Sequence, residues 1–111
     1  MGIVNKQSKR KDLKIKTLTI KASDRLEILQ LEDDDNDTLF SLGNKVIAGV
    51  PIVIGLQKMN PIQINKVLAF LSGVVFTIEG MYHTINERSY LFCDKTAFDD
   101  GSLTAWLKQL G

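Results

Sequence analysis

One cysteine, one histidine and two prolines are all that this 111-residue chain carries of three residue types that build disulfides, metal centres and rigid turns. Cys93 alone excludes an internal disulfide and is compatible with a reducing compartment. His83 falls on a predicted strand with no cysteine or carboxylate at ligand spacing, so it reads as a surface or packing residue. No apolar run approaches the roughly 20 residues of a membrane span. Phosphate-binding loops, nucleophile elbows and paired carboxylates at one site are also missing. The acidic run Glu32, Asp33, Asp34, Asp35 and Asp37 fails as a calcium loop, because Thr38 and Asn44 stand where Gly and Glu are required. The chain is therefore expected to be no enzyme and to need no cofactor and no metal.

The composition is that of an ordinary single domain, with 44% apolar and 24% charged residues and a net charge of +1. Its first 16 residues differ from the rest. Lys6, Lys9, Arg10, Lys11, Lys14 and Lys16 face a single acid, Asp12. Such a segment buries too little apolar surface to offset its ordering entropy, so residues 1–16 are expected to be a flexible basic tail and residues 17–111 the core. Lys6, Lys9, Arg10, Lys11 and Lys14 are candidates for contact with an anionic membrane or another polyanion.

The stretch from Pro51 to Gly80 carries the strongest pattern. Ile52, Val53, Ile54 and Leu56 form a short β-branched run suited to a buried strand. Asn60, Pro61 and Gln63 then supply an N-cap, a first helical residue without an N–H to satisfy, and the third residue of a capping box. Ile64, Val67, Leu68, Leu71 and Val75 recur at helical spacing, with Ser72-Gly73 expected to interrupt the helix.

Around it, Leu13, Ile15, Leu18 and Ile20 alternate with Lys and Thr across a phase slip, the pattern of an edge strand with a bulge. Residues 26–31 read as a strand. Residues 38–48 read as a helix capped by Asp37. Residues 81–85 and 89–93 read as a hairpin, and Leu103, Trp106, Leu107 and Leu110 mark a short C-terminal helix. The fold expected is α+β: a two-layer sandwich with two helices, 38–48 and 61–78, on one face of a four- or five-stranded, mostly antiparallel sheet. Its uncovered second face is expected to be buried against a second copy, giving a homodimer.

The ordered set Leu56-Gln57 and Phe70-Leu71-Ser72-Gly73 resembles the central motif of the SepF cell-division proteins, and the likeness extends from about Leu26 to about Asp94. The resemblance implies an adaptor that binds the C-terminal tail of FtsZ, forms homodimers that assemble further, and helps tether the division ring at the septum. It implies a cytoplasmic place at the inner face of the membrane, in a bacterium, an archaeon, or a plastid stroma if organelle-encoded. Phe70, Gly73, Tyr82, Tyr90 and Phe92 match the family's dimer and tail-binding region. Three departures stand out. Tyr90 replaces the usual Phe, Glu79-Gly80 replaces the usual Gly-Gly, and only Ile3 and Val4 precede the basic run, where the family carries an amphipathic anchor helix.

Two other classes fit the same layout. A ligand-binding domain would need convergent polar groups, which the sequence does not supply. A nucleic-acid binder could use the basic tail with Tyr82 and Tyr90 as stacking residues. Lys58, Lys66 and Arg88 are scattered rather than clustered, which makes nucleic acid the weaker partner.

Overall fold

A computed structural model describes residues 21–110. The basic tail and the strand expected over 13–20 lie outside the described residues.

The elements run α1 (Ala22–Arg25), β1 (Glu27–Gln30), α2 (Asn36–Ile47), β2 (Ile52–Gly55), α3 (Pro61–Thr77), β3 (Met81–Asn86), β4 (Ser89–Cys93) and α4 (Ser102–Leu110). The four strands form one mixed sheet in the order β1-β2-β4-β3, with β1 and β2 parallel and the other two pairings antiparallel. The parallel pair is joined through α2, as a crossover connection requires. Two antiparallel pairings against one parallel match the mostly antiparallel expectation.

Local chemistry fixes the helix starts. Asp35, not Asp37, caps α2: its carboxylate accepts from Thr38 N at 2.8 Å. That contact, to the backbone first and the hydroxyl second, holds the Asp35 carboxyl below its ordinary pKa. At α3 the capping box forms as the sequence predicts, with Asn60 Oδ1 accepting from Gln63 N at 2.9 Å and Gln63 Oε1 from Asn60 N at 3.1 Å. Ser72 and Gly73 do not interrupt α3, which runs unbroken to Thr77.

Strand alternation divides the core. Ile52, Ile54 and Phe92 pack beneath α2 and α3 with Leu39, Leu42, Val46, Val67, Leu71 and Val75. The crossing of α2 over α3 is close because Gly43 has no side chain. A Cβ there would stand 3.2 Å from Phe70 Cε2 and 3.4 Å from Val74 Cγ2.

The opposite sheet face is not bare. Cys93 is fully buried with Ala22, Ala97 and Leu103, flanked by Leu26 and Phe98, so α1 and α4 form a second small cluster on that side. Val53 and Leu91, which also point that way, are buried too. The expectation that this face waits for a second copy therefore loses its premise: the C-terminal helix, placed in sequence but not on this face, occupies part of it. The four-residue α1 is a feature the sequence did not announce. Its first two amides are bound from a distance, Ala22 N donating to Asp100 Oδ2 at 2.9 Å and Ser23 N to Ser102 Oγ at 3.0 Å. Asp100 Oδ1 meanwhile accepts from Ser102 N and Ser102 Oγ at 2.8 and 2.7 Å, so one carboxylate serves the starts of two helices. Arg25 ties the end of α1 to the Gly49 carbonyl just beyond α2.

Two glycines should respond to substitution with opposite signs. Gly43→Val overfills the α2–α3 crossing and should cost about 1–3 kcal/mol of unfolding free energy. Gly73→Ala, in open space within a helix, should gain about 0.5–1 kcal/mol. Urea unfolding of the two variants checks both.

The Ser102 hydroxyl and the amides of Ser102 and Ala22 hold the Asp100 carboxyl down to a pKa of about 2, from an ordinary 3.8. Its contribution to stability is therefore present above the ordinary carboxylate range and is lost as pH falls toward 2. Over that acid range the melting temperature of the native chain should fall more steeply than that of Asp100→Asn; equal slopes would remove Asp100 as a linked group.

Candidate partner-binding surface

The period of two in the hairpin sends Tyr82, Phe92 and Tyr90 to the α3 side of the sheet, since Tyr82 pairs with Phe92 and Thr84 with Tyr90. Their environments differ. Phe92 is 1% exposed and belongs to the main core. Tyr82 is 57% exposed and lies against Phe92 with ring centroids 6.0 Å apart and planes tilted by 33°. Tyr90 is half-buried and donates its hydroxyl to the Glu87 carbonyl at 3.3 Å.

On α3, Phe70 turns toward α2, over Gly43 and 6.0 Å from the ring of Phe40. Phe70, Tyr90 and Phe92 thus serve mainly to build the two layers, whereas Tyr82 and Gly73 are exposed. Apart from its chain neighbours and the adjoining backbone of α3, no described residue comes within 4 Å of the point where a Cβ on Gly73 would stand, so the close approach that this glycine permits is to no other described element of its own chain.

Two further residues complete the surface. Phe76 is 84% exposed, one turn beyond Gly73, and with Ser72, Val75, Gly80, Met81 and Tyr82 it lines a cleft of about 330 Å³ between α3 and β3. Ile62, 81% exposed, extends the same helix face toward its N-terminus, with Ala69 between. Their signal lay in the sequence. Ile62 and Phe76 fall off the Val67–Leu71–Val75 stripe, and large apolar residues outside a helix's buried stripe mark a second face.

The turn at the end of the cleft explains one departure from the usual Gly-Gly. Glu79 adopts a φ of 57°, the left-handed region that favours glycine. Gly80 has no room for a side chain, since a Cβ would stand 2.3 Å from the Cys93 carbonyl oxygen. Lys95 Nζ meets Glu79 Oε1 at 3.2 Å beside this turn.

Among the described residues, no three His, Cys, Asp or Glu side chains converge as metal ligands, and no helix is long and apolar enough to cross a membrane. Burial, with a smaller push from Asp94, raises the Cys93 thiol to a pKa of about 11, which leaves it a packing group rather than a nucleophile. His83 is exposed on β3, on the side where His83, Thr84, Ile85 and Asn86 line a cavity of about 500 Å³ with Leu107 and Leu110 of α4. Lys6, Lys9, Arg10, Lys11 and Lys14 lie outside the described residues.

No family model matches the chain. It is similar to the cell division protein SepF of Natranaerobius thermophilus, 27% identical over 62 residues that cover 56% of this chain and 37% of that protein. The SepF proteins of Carboxydothermus hydrogenoformans and Caldanaerobacter subterraneus match at 23% and 26%, covering 70% and 73% of this chain and 57% and 59% of theirs. The chain thus spans between about a third and three fifths of the length of these curated relatives. In fold it is similar to the SepF-like proteins of Archaeoglobus fulgidus and Pyrococcus furiosus, each with a TM-score of 0.56, at 10% and 14% identity. Those matches cover 63% and 75% of this chain and 84% and 94% of the solved ones. Sequence relatives and shared architecture point the same way: the chain is similar in sequence to SepF cell division proteins and shares its fold with SepF-like proteins.

Proposed function

We propose that the chain is a non-catalytic adaptor of the division machinery that binds the C-terminal tail of FtsZ and assembles with copies of itself. The observation that carries this reading is the exposed apolar surface along α3 and β3. Ile62, Phe76, Met81 and Tyr82 present large side chains to solvent, and Gly73 among them leaves room for close approach. Aromatic side chains at the rim of a cleft are the residues that most often dominate binding energy at protein interfaces. A helix face interrupted by glycine suits a partner helix, and a second copy supplies one. Self-association is accordingly assigned to α3 rather than to the sheet face, which α1 and α4 partly cover. The basic residues of the tail are assigned to the anionic inner surface of the membrane, so that one chain links lipid to the ring. The site of action is then the cytoplasmic face of the division septum.

Gly73→Lys separates function from folding. Lysine is a good helix former and its side chain enters open space, so circular dichroism should be near normal. The added charge and stem should return light scattering to a 12.4 kDa particle or weaken capture of an FtsZ-tail peptide. In parallel, Tyr82→Ala and Phe76→Ala should each weaken the peptide by about tenfold, roughly 1.4 kcal/mol. A native chain that stays monomeric and ignores the peptide defeats the reading.

For the tail, deletion of residues 1–16 should abolish binding to vesicles containing anionic lipid, and added salt should weaken the intact chain's binding, each Lys or Arg contributing about 1 kcal/mol. Binding that survives the deletion would move the contact to the α4 side, where Trp106 lies.

A further inference from the structure

We propose that β3 pairs edge to edge with β3 of a second copy, antiparallel about a two-fold axis at His83, joining two sheets into one continuous sheet. Assembly beyond a dimer needs a second surface of this kind. A contact of α3 with α3 uses the same patch on both chains, so it closes on itself and stops at two copies. The edge contact rests on the self-assembly proposed above but not on its α3 surface.

Among the described residues, β3 ends the sheet. Protein sheets ordinarily blunt such an edge with charge or proline. Met81-Tyr82-His83-Thr84-Ile85-Asn86 carries no Lys, Arg, Asp, Glu or Pro, and all but Ile85 are exposed. The other edge is shorter and guarded, since β1 has four residues and its Glu27 is held by Lys45 at 3.0 Å. The backbone sets the register of the pairing. Leu56 N donates to the Arg88 carbonyl, and bonding direction alternates along antiparallel strands, so Ile54 and Ile52 bond to Tyr90 and Phe92. Leu91 and Cys93 then bond to His83 and Met81, and the N–H and C=O groups of Tyr82 and Thr84 point outward. These two residues stand two apart. A two-fold axis at His83 therefore sets each Tyr82 opposite the partner's Thr84 and closes four hydrogen bonds. The irregularity between Thr84 and Asn86 ends the straight part of β3, which makes His83 the middle of what remains.

The occupant is a copy of this chain because the edge complements itself. Its donors and acceptors match under the two-fold axis, and an edge without Lys, Arg, Asp or Glu meets its own copy with no like charges opposed. On the α3 side, the partner's Thr84 comes to the mouth of the cleft that Phe76, Met81 and Tyr82 line. Phe76 and Tyr82 are exposed, and an aromatic side chain buries roughly 150–250 Å². With a short ladder beside them, the contact belongs to the small, reversible class, below about 1,200 Å² in total. It forms where copies are already concentrated. On the opposite face the two His83 residues meet as a non-hydrogen-bonded pair, their Cα atoms about 4.5 Å apart.

Charge exchange at His83, read by amide hydrogen exchange and NMR on the full chain, tests the proposal. In the native chain the Tyr82 and Thr84 amides should gain protection as protein concentration rises. Gly73→Lys, which blocks the α3 surface, should gain it equally. His83 is exposed, so His83→Lys and His83→Glu should both fold. Each alone opposes like charges and should raise the dissociation constant about fivefold, the upper end for a cross-strand pair. An equimolar mixture of the two should recover native protection, because Lys then faces Glu. Free exchange of Tyr82 and Thr84 at every concentration overturns the proposal and leaves the α3 contact, read by light scattering, standing. Protection that does not depend on concentration also overturns it, as does protection lost in Gly73→Lys. A mixture no better protected than its two components removes the axis at His83, and with it the proposal.

Discussion

The whole architecture hangs on β2 being dry on both sides. Ile52, Val53, Ile54 and Gly55 are all buried, between a parallel neighbour and an antiparallel one. Such a strand has its register set twice over, because a one-residue slip would exchange the residues beneath α2 and α3 with those facing the opposite side. Ile52 and Ile54 anchor the two-helix layer, and β4, aligned on β2, places Phe92 beside them and Cys93 toward the second cluster. Tyr82 owes its position to the same alignment, one strand further out.

The legible parts of the fold were those whose chemistry is local. Asn60, Pro61 and Gln63 declare the start of α3 within four residues, and the capping box is there. The β-branched run of β2 and the hairpin around Asn86-Glu87-Arg88 are likewise carried by short windows. Asp35 and Asp37 illustrate the limit: either acid can cap, and the packing of Leu39 and Leu42 selects the register in which Asp35 does. Ser72-Gly73 shows another, since two small residues weaken a helix without ending it when Leu71 and Val75 on either side are buried. What escaped altogether was the placement of α1 and α4. Their hold on the sheet comes from contacts between Ala22 and Asp100, residues too far apart in the chain for any periodicity to link them.

The candidate surface divides in the same way. Resemblance pointed to five residues, and packing sorts them. Phe70, Tyr90 and Phe92 stiffen the layers, and Tyr82 and Gly73 meet the solvent. Phe76 and Ile62 were visible only as apolar residues on the wrong side of a helix. Gly43 mirrors Gly73: the first glycine admits a helix of its own chain, the second faces open space.

The carboxylate shared by α1 and α4 bears on the order in which the chain folds. Its bond from Ala22 N, and the neighbouring bond from Ser23 N to Ser102 Oγ, join residues 78 and 79 positions apart, close to the full span of the described chain. Contacts of that separation carry the largest loop-closure entropy and form once nearer pairings have shortened the effective loop. On the ribosome, the main core of β1, α2, β2, α3 and the hairpin is complete in sequence by Cys93, whereas Asp100 and Ser102 have yet to be joined to the nascent chain. Until they emerge, Cys93 lacks part of its cover and the amides of Ala22 and Ser23 lack their acceptors. Covering the second sheet face is thus a late step in folding, and it comes with the docking of α4.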